Sequence, residues 1–311
     1  MKKVGSIFSG GGLLDEAAKQ AGYKSVFGIE INNGYAEIWK ANHPGTMHNC
    51  CISQVDKRQI PKVDLLIGGI PCEPFSQCRR QQNNMKRKTT CYADHDLADL
   101  TVFALILIDH CQPMAVVLEE VSRYAESEIG IICMKALTRM GYTVDSKVIK
   151  GTDYGALTTR KRTVIIATKE SNRVTWSEPN DNKRTMAEVL HDPTDERCNW
   201  FHLDDKQRLK DHWKRQQDKG NRLYSQQITG DSGSIQTIKK RYFAGQGDNP
   251  VVKHPTKENV YRWLTIDEVK AIMGLPGDYY LGKTKTVAGE VLGQGVLVDV
   301  FKKIIEIQGE R

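Results

Sequence analysis

Four short segments of the 311-residue chain carry residue types that do chemistry. The first is Cys72, within GGIPCEPFS (residues 68–76), directly after the apolar run Val63–Ile67. Pro71 and Pro74 bracket the cysteine and stiffen its loop. Arg79, Arg80, Lys86, Arg87 and Lys88 follow between Gln77 and Cys91, with no acidic residue among them. A positive field lowers a thiol's pKa toward the nucleophilic thiolate. The second segment is VVLEEVSRY, residues 116–124, with Glu119 at the end of an apolar run. A carboxyl group beside a thiol suits proton donation or hydrogen bonding to a ring nitrogen. The third, DYGALTTRKRTVIIAT (153–168), holds Arg160 and Arg162 at a strand start. Alternation along a strand points both the same way, and paired guanidiniums hold a carbonyl, carboxylate or phosphate. The fourth is FSGGGLLDEA, residues 8–17, with Glu30 closing the next apolar run. Gly10 and Gly12 fit a dinucleotide fingerprint, Asp15 takes the third glycine's place, and an acid at Glu30 accepts from ribose hydroxyls. Singly, each has an ordinary reading: a tight turn, a buried structural cysteine, surface arginines, a solvated basic loop.

The elements that must position these residues alternate. Strands are expected over Lys3–Phe8, Ser25–Ile31, Val63–Ile67, Met114–Leu118 and Thr163–Thr168. Helices are expected over Leu13–Ala21, Tyr35–Asn42, Asp96–Gln112 and Ile129–Met140. Such alternation predicts an α/β fold, a doubly wound and mostly parallel sheet covered by helices on both faces. In open parallel sheets ligands collect at the carboxyl ends of strands, where Cys72 and Glu119 fall. After Lys169 the chain turns polar, with a basic helix expected within Asn199–Leu223, ending at Gly220. Helical periodicity returns at Thr265–Met273 and over Thr286–Ile307. This divides the chain into a catalytic domain (1–169), a smaller irregular domain (170–260) and a C-terminal return to the first (261–311).

Composition narrows the class. With 39% hydrophobic and 27% charged residues the chain is an ordinary soluble globular mix. No apolar run approaches the ~20 residues a membrane span needs, and MKKVGSIFSGGG has glycines too early for a signal peptide. Eight cysteines form no CxxC pair and no zinc spacing. A reducing cytoplasm, no membrane and no metal are therefore expected. The net charge of +7 is compatible with a polyanionic partner.

In order and content, these segments resemble the DNA cytosine C5-methyltransferase family. That family shows an FxGxGG loop, an acidic strand end, a PCQ loop, an ENV strand, a QxRxR strand, RxLTxxE…GFP and a final GNxV helix. Here stand FSGGGL, Glu30, GGIPCEPFS, LEEV, TTRKR, RWLTIDE…GLP and LGQGV, in the same order. The match covers residues 1–170 and 260–311, and PCEPFS is its most specific block. The resemblance implies a Rossmann-like class I methyltransferase fold using S-adenosyl-L-methionine on double-stranded DNA. Cys72 would attack C6 of a flipped-out cytosine, with Glu119 protonating N3. Arg160 and Arg162 would bind the base carbonyl and orient the cysteine loop. Phe8, Gly10, Gly12, Leu13, Glu30, Ile31, Ile52, Pro71, Leu100 and Gln294 fall where the family holds its donor. Ser76 and the basic residues from Arg79 to Lys88 would meet DNA. The middle region would supply target recognition, with Thr229–Ile238 as strand and loop, and Thr237, Lys239, Lys240 and Arg241 as DNA contacts. A monomer is expected, with a cognate restriction endonuclease among the partners the family admits.

Departures from the family pattern are Leu13 for glycine, Cys51 for an acidic residue, Glu120 for asparagine, Thr158 for glutamine and Gln294 for asparagine. They leave room for transfer of a larger group from a modified donor. A tRNA cytosine C5-methyltransferase is a second alternative, though the Cys-Phe-Thr block of that branch is not apparent in 170–260. The intact Cys72, Glu119, Arg160 and Arg162 disfavour a non-catalytic DNA-binding protein.

Overall fold

Near-continuous apolar runs become the central strands of a seven-stranded sheet in the computed structural model, which describes residues 1–71, 99–169, 173–180, 183–220, 226–244 and 249–309. The strands are β1 (Lys3–Ile7), β2 (Lys24–Ile29), β3 (Thr46–His48), β4 (Leu65–Gly69), β5 (Ala115–Glu120), β6 (Thr143–Lys150) and β7 (Lys161–Thr168). Their order is β3-β2-β1-β4-β5-β7-β6. β1 pairs in parallel with both β2 and β4; β4 pairs in parallel with β5, and β7 runs antiparallel to β5. The chain thus winds outward from β1 to β3, then returns to the other side of β1. Such a reversal opens a crevice at the carboxyl ends of the strands flanking it.

The intervening helices are α1 (Leu13–Gln20), α2 (Asn33–Asn42), α3 (Asp99–Cys111) and α4 (Glu128–Arg139). Asn32 caps α2 by accepting from Tyr35 N, and Ser127 caps α4 by accepting from Gly130 N. Ala104 and Ile108 of α3 and Cys133 and Leu137 of α4 close over Leu66, Val116, Leu118 and Ile165 in one apolar core. Asp15, one turn into α1, is fully buried, and Ser25 Oγ donates to its Oδ1 at 3.4 Å. Burial pushes its carboxyl up to about 7, opposed in part by the Ser6, Trp39 and Ser25 side chains.

The doubly wound α/β architecture is as expected, with local differences. β4 begins two residues later than the expected strand and runs into the glycine pair 68–69. β3 and β6 were not anticipated. One is three residues long, and the other exposes Asp145, Lys147 and Val148, so neither shows a buried apolar run. The chain falls into two compact units, 1–149 with 161–177 and 301–311, and 150–160 with 178–300. These limits differ from the expected boundaries at 169 and 260, and local bonds explain why. Gly151 N donates to Arg160 O, and Thr159 N to Ile235 O, drawing 150–160 into the second unit.

The second unit holds a small sheet, β8 (Phe201–His202), β9 (Gln227–Ile228), β10 (Val251–Lys253) and β11 (Val260–Arg262), in the order β8-β11-β10-β9. The expected basic helix is α5 (Gln207–Asp218), which seats Leu209 and Trp213 on Val251 and Tyr261. Residues 229–238 form no strand; Ile235 makes an isolated bridge to Thr158 instead. Helix α6 (Ile266–Met273) opens with a capping box between Thr265 and Glu268. Glu268 also forms a fully buried fork with Arg262, at 2.7 and 2.8 Å, and accepts from His191 N. That network keeps 261–300 in this unit. The expected helical segment Thr286–Ile307 is two helices, α7 (Lys285–Gln294) and α8 (Val298–Gly309), parted where Gly295 turns extended.

Two measurements check these assignments. Asp15 holds its proton more tightly folded, at about 7, than unfolded, at 3.8. Its burial therefore costs nothing below its unfolded value, costs progressively more as pH rises between the two, and levels off above the folded one. Asp15→Asn should gain on the parent by up to about 4 kcal/mol across that window in urea unfolding; a pH-independent difference would contradict a neutral Asp15. Glu268→Gln strands a buried guanidinium and should cost about 3–5 kcal/mol, whereas Arg262→Met with Glu268→Leu should cost far less.

Candidate active site

Three strand ends of the first unit, those of β1, β2 and β4, emerge at the crevice. After β1 the chain makes a tight turn in which Phe8, Gly10 and Gly12 all take positive φ, at 51°, 54° and 84°. Positive φ is easy for glycine and strained for Phe8, and such strain tends to persist where a ligand site demands it. Gly10 has open space where a side chain would stand, whereas a carbon on Gly12 would strike the His43 ring at 2.5 Å. His43 Nε2 donates to Gly12 O at 3.1 Å, and burial holds the ring neutral, with its pKa down at about 4.

Glu30, just past β2, braces this turn. Its Oε2 accepts from Gly10 N at 2.8 Å and its Oε1 from Asn32 N at 2.7 Å. Burial raises its pKa, while the Asn32 and Gly10 amides oppose the rise. Each oxygen keeps a further lone pair for a hydroxyl. Asn49 Nδ2 donates to the carbonyls of Glu30 and Ile31, an interaction without a sequence signal of its own. Ile31 is 67% exposed at the strand's end; Ile52 is buried, with Cys51 half-buried beside it. Ser53 Oγ donates to Cys51 Sγ at 3.1 Å, at the position where the family pattern has an acid. Leu13 is buried in α1, Leu100 packs against the core and Pro71 is half-buried. An open glycine turn flanked by a braced carboxylate and an exposed apolar residue fits a nucleoside with a polar tail.

Glu119, the next-to-last residue of β5, lies beside Gly69 of β4, its register partner. A carbon on Gly69 would lie 3.1 Å from Glu119 Oε2, so a bare backbone there gives the carboxylate room. Arg162 Nε pairs with Glu119 Oε1 at 2.5 Å, and the two side chains keep 22% and 12% exposure. They are therefore reachable from solvent without being freely solvated. Glu120 points the other way. It is 1% exposed, and burial first, then the charge of Glu119, holds its carboxyl well above the usual range.

The two arginines expected to act together have different partners. β7 begins at Lys161, so Arg160 precedes the strand and alternation does not govern it. Its guanidinium goes to the carbonyls of Gly293 and Gln294 in the second unit, while Arg162 serves Glu119 in the first. Gln294 is exposed at the end of α7. Thr237 is half-buried, and Lys239, Lys240 and Arg241 are exposed. Cys72, Ser76, Arg79, Arg80, Lys86, Arg87 and Lys88 lie outside the described residues. Among the described residues, no His, Cys, Asp and Glu group is placed to hold a metal, and no helix is long and apolar enough to cross a membrane.

Comparisons with known proteins bear on the family and the fold. The Type II methyltransferase M.DsaV of Dactylococcopsis salina is 26% identical over 313 aligned positions, covering 96% of this chain and 84% of that protein. M.MspI of Moraxella sp is 26% identical, covering 96% of this chain and 68% of its own. In fold the chain is similar to S. pombe Dnmt2, with a TM-score of 0.75 at 19% identity over 99% of this chain and 98% of that one. It is also similar to the Entamoeba histolytica methyltransferase EhMeth, with a TM-score of 0.76 at 16% identity over 99% and 98%. The model of the C-5 cytosine-specific DNA methylases matches residues 2–309, and the chain belongs to that family.

Proposed function

We propose that the chain transfers a methyl group to C5 of cytosine in duplex DNA, with Cys72 as nucleophile and S-adenosylmethionine as donor. The observation that carries this reading is the Glu119–Arg162 pair, set beside Gly69 three residues before Cys72 in the chain. The DNA substrate is favoured by the family description and by relatives named Type II methyltransferases.

When bound, S-adenosylmethionine supplies an electrophilic methyl group for C5. The glycine turn, Glu30, Ile31 and Ile52 fit its nucleoside, with Glu30 accepting from the ribose. The chain's own residues make C5 receptive. The Cys72 thiolate forms a bond to C6 while Glu119 delivers a proton to N3, which avoids a build-up of charge on the ring. Arg162 keeps the Glu119 carboxyl aimed during that transfer. After C5 is substituted it loses its proton, Cys72 leaves C6, and the N3 proton is given up, restoring the aromatic ring. A cytosine stacked in a duplex cannot reach these groups, so the base is flipped out. The second unit recognises the target, with Lys239, Lys240 and Arg241, together with the basic residues 79–88, meeting phosphates.

Three outcomes test the reading. A duplex bearing 5-fluorocytosine at the target should trap the protein covalently, because fluorine does not leave as a proton; Cys72→Ser should trap none. Glu119→Gln should lose ~10²–10⁴ in rate with DNA binding retained, while Glu120→Gln, which swaps one neutral group for another in the core, should be mild. Equal losses at both positions would mean the carboxyl at 119 has no special part. Mass analysis of nucleosides after incubation with labelled donor should find 5-methylcytosine in DNA. Label confined to tRNA, or an adduct heavier than methyl, would replace the substrate or the donor.

A further inference from the structure

The buried guanidinium of Arg160 is left without a part in the chemistry above, and its surroundings give it another. Arg160 is 3% exposed and immediately follows Leu157–Thr159, a stretch that pairs with the recognition region. Ile235 N donates to Leu157 O at 2.8 Å, and Thr159 N to Ile235 O at 2.9 Å. Arg160 then reaches helix α7. Its Nη1 donates to Gly293 O at 3.0 Å and its Nη2 to Gln294 O at 3.1 Å. The last carbonyls of a helix have no donors within it, and they carry the negative end of its dipole. A fork of two N–H groups bearing positive charge suits that end better than a single ammonium.

The same helix end also bears on the basic segment. A carbon added to Gly293 would lie 2.3 Å from Lys240 N and 2.4 Å from Lys239 C, so helix and segment meet backbone to backbone. One turn earlier, a carbon on Gly289 would lie 3.0 Å from the Phe243 ring and 3.4 Å from Lys240 O. The side chains of Lys239, Lys240 and Arg241 remain exposed. All of these groups lie within the second unit.

We propose that Arg160 is a positioning residue for DNA binding: it clamps the carboxyl end of α7, and α7 in turn sets the backbone from which Lys239, Lys240 and Arg241 project. The proposal rests on the reading of the chain as a DNA methyltransferase, but it concerns how the second unit holds its cations, not the reaction. It assigns Arg160 a place away from the cytosine ring.

The experiment pairs Arg160→Met with Gly293→Ala, which perturbs the same joint from the other side without changing charge. The first readout is amide hydrogen exchange over residues 235–243, which needs no substrate. Both variants should exchange faster there than the parent, and Arg160→Lys should recover part of the protection. The second readout is affinity for a random-sequence duplex as a function of salt. Its logarithmic slope should fall by about 0.9 for each phosphate that the displaced cations no longer reach, in Gly293→Ala as in Arg160→Met. The double variant should be little worse than the worse single, because both break one joint. If the singles fail to fold, Gly289→Ala supplies a milder push against Phe243 and should show the same changes in smaller degree. Unchanged exchange over 235–243, with a lowered kcat and an unaltered salt slope, would overturn the proposal and return Arg160 to the base. Faster exchange in a protein that binds no duplex would uphold the clamp and refute the DNA reading instead.

Discussion

The pairing of β1 in parallel with a neighbour on each side is the constraint from which the site follows. Parallel strands end at the same edge, so the turn after β1, Glu30 after β2 and the approach to Cys72 after β4 are all delivered to one rim. Register tightens this further. Ile7 lies opposite Gly68, and Gly69 lies opposite Glu119, so one step along the sheet carries the rim from the glycine turn and Glu30 to the Glu119–Arg162 pair. A slip of one residue would turn Glu119 into the core and Glu120 out of it. The apolar faces of Leu66, Val116 and Leu118 make such a slip costly, and in this way the core protects the placement of the Glu119 carboxyl at the rim.

The buried acids of the molecule illustrate three ways of keeping a carboxyl group out of water. Glu30 satisfies its charge with backbone amides, which also makes it a brace for the turn. Glu119 and Glu268 are each matched to an arginine, one at a partly open rim and the other sealed in the second unit. Asp15 and Glu120 are driven toward the neutral form by burial. Adjacent residues of one strand thus meet different surroundings, and the difference comes from which face of β5 each occupies.

Much of this was readable from residue order. The central strands are apolar almost throughout, so their positions showed within a residue or two, and Glu119 was legible as the acid that closes the apolar run of β5. What was not readable depends on groups far apart in the chain. Arg160 and Arg162 look like a pair because they are two apart; their different partners are decided by where β7 begins and by a carbonyl 133 residues later. The break between α7 and α8 is marked by nothing stronger than Gly295 in a run that otherwise reads as helical. Edge strands such as β3 and β6 bury too little to leave a pattern. The reach of the second unit depended on Glu268, whose bonds to Arg262 and His191 tie α6 to residues on both sides of the expected boundary.

The meeting of Gly293 with the main chain of Lys239 and Lys240 has an evolutionary consequence. A joint formed from glycine on one side and peptide groups on the other is indifferent to which side chains stand at 239 and 240. A change of charge, length or hydrogen-bonding character there leaves that backbone contact the same. Descendants of such a chain would diverge in the surface they present by changing a few exposed residues, with the cost in folding confined to the surface.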